Sequence, residues 1–170
     1  MDELTKYNIT RWKALVDADA LFTRPALSLD AISARDRLDP EGRLGDVAAK
    51  DVLCLACGGG QQSIAFALLK ANVTVFDLSE AQLDRDREAA AHFNVDIKTL
   101  QGDMRDLSHL AEASFDIVYH SYSLGFVPNA HVVFQQVARV LPCWSIPFYV
   151  RESILYRDAG KGLEWGRVHG

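Results

Sequence analysis

The stretch Asp51-Val52-Leu53-Cys54-Leu55-Ala56-Cys57-Gly58-Gly59-Gly60-Gln61-Gln62-Ser63 most constrains what this chain can become. Residues 52–56 have the length and apolarity of a strand buried on both faces. Beyond the glycines, Ile64, Leu68 and Leu69 recur at helical spacing. Strand, glycine turn and helix are the order in which a parallel sheet offers backbone N–H groups to a ligand. Successive glycines let that ligand come close to the backbone, and the open N–H groups of the following helix favour a polar or anionic group.

At 170 residues with a net charge of −5, the chain reads as one domain with a substantial core. The acidic balance argues against nucleic acid or an anionic membrane surface as partner. The N-terminus Met1-Asp2-Glu3-Leu4 lacks a basic start and an apolar run, so a cytoplasmic location is expected. Three cysteines make no disulfide framework. Cys54 falls inside the strand and Cys57 at the ligand loop, an arrangement unsuited to a redox or zinc pair, and no metal site is expected.

In chain order, residues 4–18 carry Ile9, Trp12, Leu15 and Val16 on one helical face, and residues 26–38 carry Leu27, Ala31 and Leu38. Residues 1–50 are therefore read as a helical lid over the ligand edge of a core formed by residues 51–170. Residues 72–77 form a second strand ending on Asp77, about twenty residues past the glycines, from where a carboxylate reaches a ribose diol. Ser79-Glu80-Ala81-Gln82 reads as a reciprocal capping box opening the next helix. Residues 95–100 form a third strand before Gly102-Asp103-Met104, and residues 115–120 a fourth ending on His120. Residues 129–141 return to helical spacing through Val133, Val137 and Val140. Strands alternating with helices predict an α/β, doubly wound parallel sheet whose ligands gather at the carboxyl ends of the strands, bringing Asp77, Asp103 and His120 beside the glycines.

The succession Val-Leu-Cys-Leu-Ala-Cys-Gly-Gly-Gly-Gln, Phe-Asp at a strand end, Gly-Asp-Met-Arg-Asp-Leu, and Ser-Phe-Asp-Ile-Val-Tyr resembles the ordered motifs of class I S-adenosylmethionine-dependent methyltransferases. Order and spacing agree over residues 51–141, and the Cys-Gly-Gly-Gly-Gln-Gln form is similar to small bacterial members of the type 11 sort. The resemblance implies a Rossmann-like methyltransferase fold, S-adenosylmethionine as cofactor and a small-molecule methyl acceptor. It places Cys57, Gly58 and Gly60 against the methionine part, Asp77 on the ribose hydroxyls, Asp103 on the adenine amino group and Met104 on the ring, with Gln61, Gln62 and Leu78 as further cofactor contacts. Trp12 would cover the cofactor. His120 would stand nearest the sulfonium, where it is the candidate base. Two positions depart from the pattern: Cys54 stands where many members carry an acid, and Ala56 replaces their first glycine.

Two other readings compete. Gly58-Gly59-Gly60-Gln61-Gln62-Ser63 comes within one residue of G-x-G-x-x-G, a nicotinamide signature. A remnant that holds the cofactor without turnover is the other, motivated by the tail. After Leu141 the resemblance leads one to expect Pro-Gly-Gly and an apolar strand. The chain instead reads Pro142-Cys143-Trp144-Ser145-Ile146-Pro147, poor material for a central strand. Read one base out of frame, Trp144 and Trp165 both become glycine. A frame change or truncation from about residue 142 is therefore expected, with low stability and weak turnover as its consequences.

Overall fold

The computed structural model describes residues 1–142 in full and, beyond them, the backbone of the strands Phe148–Arg151, Ile154–Asp158 and Gly162–Gly166. Among the described residues there are five α-helices: α1 (Glu3–Asp17), α2 (Ala31–Leu38), α3 (Gln62–Leu68), α4 (Glu80–Phe93) and α5 (Ala130–Val140). The strands are β1 (Asp51–Leu55), β2 (Asn72–Asp77), β3 (Ile97–Gln101), β4 (Ile117–Ser121), β5 (Phe148–Arg151), β6 (Ile154–Asp158) and β7 (Gly162–Gly166). The first five form one sheet in the order β3-β2-β1-β4-β5, and β6 pairs with β7 separately. Every pairing in the larger sheet is parallel, with Leu55 opposite Phe76 on one side and His120 on the other. The chain reverses its direction of travel between β1 and β4, which opens a crevice at their carboxyl ends.

Alternation along the strands divides the core into two layers. Val52 and Cys54 of β1, Val73 and Val75 of β2, and Tyr119 of β4 pack with Phe66 of α3 and Leu83 of α4. Leu53, Leu55, Phe76 and Val118 point the other way, onto Val133, Val137 and Val140 of α5. The expected α/β doubly wound architecture is what the chain adopts. Local chemistry sets the helix ends. Asp2 caps α1 through the Thr5 N–H, Asp30 and Ser33 form a reciprocal box at α2, and Asn94 closes α4 in the left-handed region at φ 50°.

Three expectations about elements need correction. The helix read over residues 26–38 begins only at Ala31, because Asp30 caps it and Pro25 lies in the preceding extended strap. No helix joins β3 to β4. That connection is a series of turns in which Asp103 and Asp106 accept the N–H groups of Arg105 and Ser108, local bonds that compete with a helical ladder. Leu107, Leu110 and Phe115 from these turns cover the sheet where a helix would have packed. Finally, α2 with Leu44 and Val47 joins the core layer around Phe66, so only α1 and the strap after it lie over the ligand edge. Residues 143–147, where the tail sequence departs most from expectation, lie outside the described residues, and β5 takes the edge position beside β4. Among the described residues no helix is long and apolar enough to cross a membrane.

Gly102 shows how packing dictates sequence here. A Cβ added to it would sit 2.2 Å from Cζ of Phe76, whose ring is fully enclosed in the second core layer. Gly102→Ala should destabilise the fold by about 1–3 kcal/mol, the usual cost of overpacking. Urea unfolding of the single variant and of Gly102→Ala combined with Phe76→Leu checks this. The second change should recover part of the loss, whereas simple additivity would contradict the packing account.

Candidate active site

The site is built around the acid that ends β2. Asp77 accepts the Gly58 N–H on Oδ2 and the Ser79 N–H on Oδ1, both at 2.8 Å. One carboxylate thus holds the glycine turn after β1 and the start of α4 in a fixed relation. Burial pushes the Asp77 carboxyl above its ordinary value, opposed by the N–H groups of Ser79, Gly58 and Leu78. The turn fits only without side chains: a Cβ at Gly58 would meet Cβ of Gln82 at 2.7 Å, and one at Gly60, where φ is +67°, would meet the Arg85 carbonyl at 2.6 Å. From below, Asp86 of α4 accepts the Gly59 N–H at 2.8 Å and the Ser63 hydroxyl.

Because Asp77 takes the Ser79 N–H, the expected capping box is one-sided. Ser79 still accepts the Gln82 N–H, at 3.4 Å, but the Gln82 side chain has nothing to return it to. Its Oε1 lies instead beside Gly59, buried without a hydrogen-bond partner, in a residue that lines the crevice. A buried acceptor left open costs of order 1–3 kcal/mol, so the geometry asks for a donor from a ligand. Ribose hydroxyls and an ammonium group are such donors, and the residues present therefore fit a nucleoside-bearing amino-acid cofactor.

Two adjoining cavities occupy the crevice and share Trp12, Ala56, Gly58, Gln82, Ser123 and Phe126 in their walls. The first adds Asp77, Leu78, Asp103, Met104 and Arg105, with Leu4, Thr5 and Asn8 of α1 as its roof. The second adds Cys57, Gln61, Gln62, Ser121 and Tyr122, with Phe22 of the strap. Asp77, Asp103 and Met104, assigned from the sequence to ribose and adenine, thus line the first cavity, while Cys57, assigned to the methionine part, lines the second and Gly58 lines both. Gly60 and His120 line neither. Gly60 is wedged against α4 and Pro25. His120 is fully enclosed, and its Nε2 meets the Ser123 hydroxyl at 3.1 Å, so Ser123 stands between it and the crevice. Burial lowers the His120 imidazole to about 4, which keeps it neutral at physiological pH. Cys57 turns its thiol back toward the Leu55 and Tyr119 carbonyls at 3.2 and 3.5 Å, and burial raises its pKa.

The N-terminal segment is fastened at two points. Arg105 binds Asp2 at 2.8 Å, Thr5 Oγ at 2.6 Å and Asp103 at 2.5 Å, pinning the start of α1 to the loop after β3. Burial pushes the Asp103 carboxyl up, but hydrogen bonds from Arg105 and Thr5 outweigh it and hold the group below its usual range. At the other end, Gln61 donates to the Phe22 and Arg24 carbonyls at 3.1 and 3.0 Å, and the Ala26 N–H donates to the Gly60 carbonyl. Gln61 therefore binds the strap. Tyr7 is 65% exposed, and Thr5 and Asn8 are the buried residues of α1. An apolar-periodicity reading misses them because this helix seats its polar side on a polar edge. It misses Gln82, Ser123 and Asp86 because they lie outside the matched motifs, and Arg105 because the motif that contains it assigns it no contact. The one available signal was the pairing of Ser79 with Gln82, which was read as a cap.

Residues 52–142 match the methyltransferase domain family. Over 90 residues the chain is 46% identical to the uncharacterized methyltransferase YbaJ of Bacillus subtilis (strain 168), covering 53% of this chain and 35% of YbaJ. It is 32% identical over 105 residues to the ubiquinone biosynthesis O-methyltransferase of Shewanella pealeana, covering 62% of this chain and 44% of that protein. The chain thus matches less than half the length of either relative. Among solved structures, the S-adenosylmethionine-dependent methyltransferase from Mesorhizobium loti superposes with a TM-score of 0.53 at 29% identity, over 68% of this chain and 51% of that one. With Ser63 buried against Asp86 where a nicotinamide turn needs its third glycine, the comparisons and the site agree: the chain belongs to the methyltransferase domain family, and its cofactor is S-adenosylmethionine.

Proposed function

We propose that this protein transfers the methyl group of S-adenosylmethionine to a neutral small-molecule acceptor held in the second cavity. The open Gln82 acceptor beside Asp77 carries the reading, since both face the crevice from the two sides of the glycine turn. Asp77 and Gln82 would hold the ribose hydroxyls. Leu78 and Met104 would enclose the adenine, and Gly58 with Gln62 would seat the methionine part. The cofactor supplies an electrophilic methyl; the chain's own residues align the acceptor and exclude water. Trp12 serves that exclusion, with Phe22 at 6.1 Å and Phe126 at 5.6 Å edge-on around it.

Among the described residues no charged side chain lines the second cavity, and its polar residues include Ser121, Tyr122 and Ser123 with hydroxyls and Gln61, Gln62 and Gln82 with amides. That lining suits an uncharged acceptor, and the name of the Shewanella relative supports an oxygen nucleophile. His120 is assigned the orientation of Ser123 and not proton abstraction, because a neutral imidazole lowered to about 4 is a weak base. Residues 1–50 supply the lid through α1 and the strap. Asp103 links lid and cofactor: both of its oxygens already accept from Arg105, so an adenine amino group can bind it only as that latch rearranges.

Calorimetric titration with S-adenosylhomocysteine tests the assignment. Asp77→Ala should weaken binding by about 1.5–3 kcal/mol and Gln82→Leu by about 0.5–1.5 kcal/mol, the ranges for hydrogen bonds with and without a charged partner. Affinity equal to the parent in both variants would remove the ribose assignment. For the lid, Arg105→Ala should speed amide exchange in α1 and weaken the same ligand roughly threefold or more. Unchanged exchange in α1 would show that Arg105 does not hold it.

A further inference from the structure

We propose that Asp86, enclosed beneath the glycine turn, both positions that turn and supplies the negative charge by which the site prefers the cationic cofactor to its neutral demethylated product. The inference rests on the cofactor reading above. Asp86 is 0% exposed. Its carboxylate accepts the Gly59 N–H at 2.8 Å and the Ser63 hydroxyl, with the Gly60 N–H as a further donor. These bonds join α4, the turn and the first turn of α3, so the carboxylate sets the backbone on which the methionine part would lie.

No cation offsets this charge among the described residues. Arg85, its neighbour on α4, pairs with Asp19 and Glu88 instead. The titratable groups facing Asp86 from the packed elements are Cys54 and Cys57 from β1 and the turn, and Asp77 from β2. All of these are neutral or negative, and α3 contributes only the Ser63 hydroxyl. Burial raises the Asp86 carboxyl to about 7, with Asp77 adding to the rise and the three donors opposing it. Near neutral pH the group is therefore balanced between its charged and uncharged forms, and a cation across the turn draws it toward the charged one.

The reaction changes that cation. On transfer the electron pair of the broken sulfonium–methyl bond would stay on sulfur and the methyl would bond to a lone pair of the acceptor oxygen, whose proton would leave to solvent, so that a positive sulfonium gives way to a neutral thioether. The attraction to ionised Asp86 disappears with it, which favours release of the product over the substrate form. Linkage fixes the sign: the cationic cofactor must bind more tightly as pH rises through about 7 and must release protons on binding, while the neutral product shows a much weaker dependence.

Calorimetry with S-adenosylmethionine and S-adenosylhomocysteine at pH 5.5 and 7.5, in buffers of different ionisation enthalpy, tests this on the full chain. In the parent, the affinity ratio of the first ligand over the second should rise roughly fivefold or more between the two pH values, with proton release for the first ligand. In Asp86→Asn the ratio should be flat. A residue with only a structural role would weaken both ligands alike and leave the pH profile in place. Should Asp86→Asn fail to fold, Ser63→Ala removes one donor from the carboxylate and should move the profile to higher pH. A parent ratio independent of pH, a profile retained in Asp86→Asn, or one unmoved in Ser63→Ala overturns the inference. Failure of both ligands to bind the parent overturns the cofactor reading itself.

Discussion

The bond pair at Asp77 is the constraint on which the site depends. A parallel sheet delivers β1 and β2 side by side, but nothing in the ladder dictates how the chain leaves them. Asp77 settles this by accepting one N–H from the turn after β1 and another from the entrance to α4. Removing the carboxylate would leave both donors facing a half-buried crevice. The same occupation of the Ser79 N–H leaves the Gln82 side chain unbonded to it, so both groups of the proposed ribose site trace to one acid.

Around that pair the molecule changes character over a few ångströms. Behind it, β1 and β4 bury Leu53, Leu55, Val118 and Tyr119 almost completely. In front, Asp77, Asp103, Gln82 and Ser123 share the crevice wall with Leu78, Met104 and Phe126, under a helix that presents Thr5 and Asn8 beside Trp12. The helix α1 is accordingly held by both kinds of contact, ionic and hydrogen bonds at its start and the edge-on packing of Trp12 on Phe22 and Phe126. A roof fastened through Arg105 at one end and Gln61 at the other opens at lower cost than one fused to the core, as a site that must admit and release ligands requires.

The arrangement of strands was legible because buried parallel strands and their turns write strong local signals. Residues 72–77 ended on Asp77 as read, and the ligand edge fell at the strand ends. The connection between β3 and β4 was not legible, since Leu107, Leu110 and Phe115 pack as a helix would while the intervening aspartates turn the backbone into Asx bends. Most of the motif residues line the crevice, but Gly60 and His120 do not: Gly60 accepts from the strap at Ala26 and His120 meets Ser123, while Gln61 both lines the crevice and binds the strap. Asp86 escaped notice because a carboxylate on a polar-looking helix is indistinguishable, in sequence, from a solvated one. Only its burial reveals that it faces inward.

The central claim is that one nucleoside-bearing cofactor spans both cavities, with its ribose between Asp77 and Gln82. A crystal structure of the full chain grown with S-adenosylhomocysteine tests this most directly. The account predicts the adenine beside Leu78 and Met104, a hydrogen bond from a ribose hydroxyl to the Gln82 carboxamide, and the homocysteine along Gly58 and Gln62. Density for the ligand elsewhere, or a ribose that leaves the Gln82 carboxamide unbonded, would contradict it.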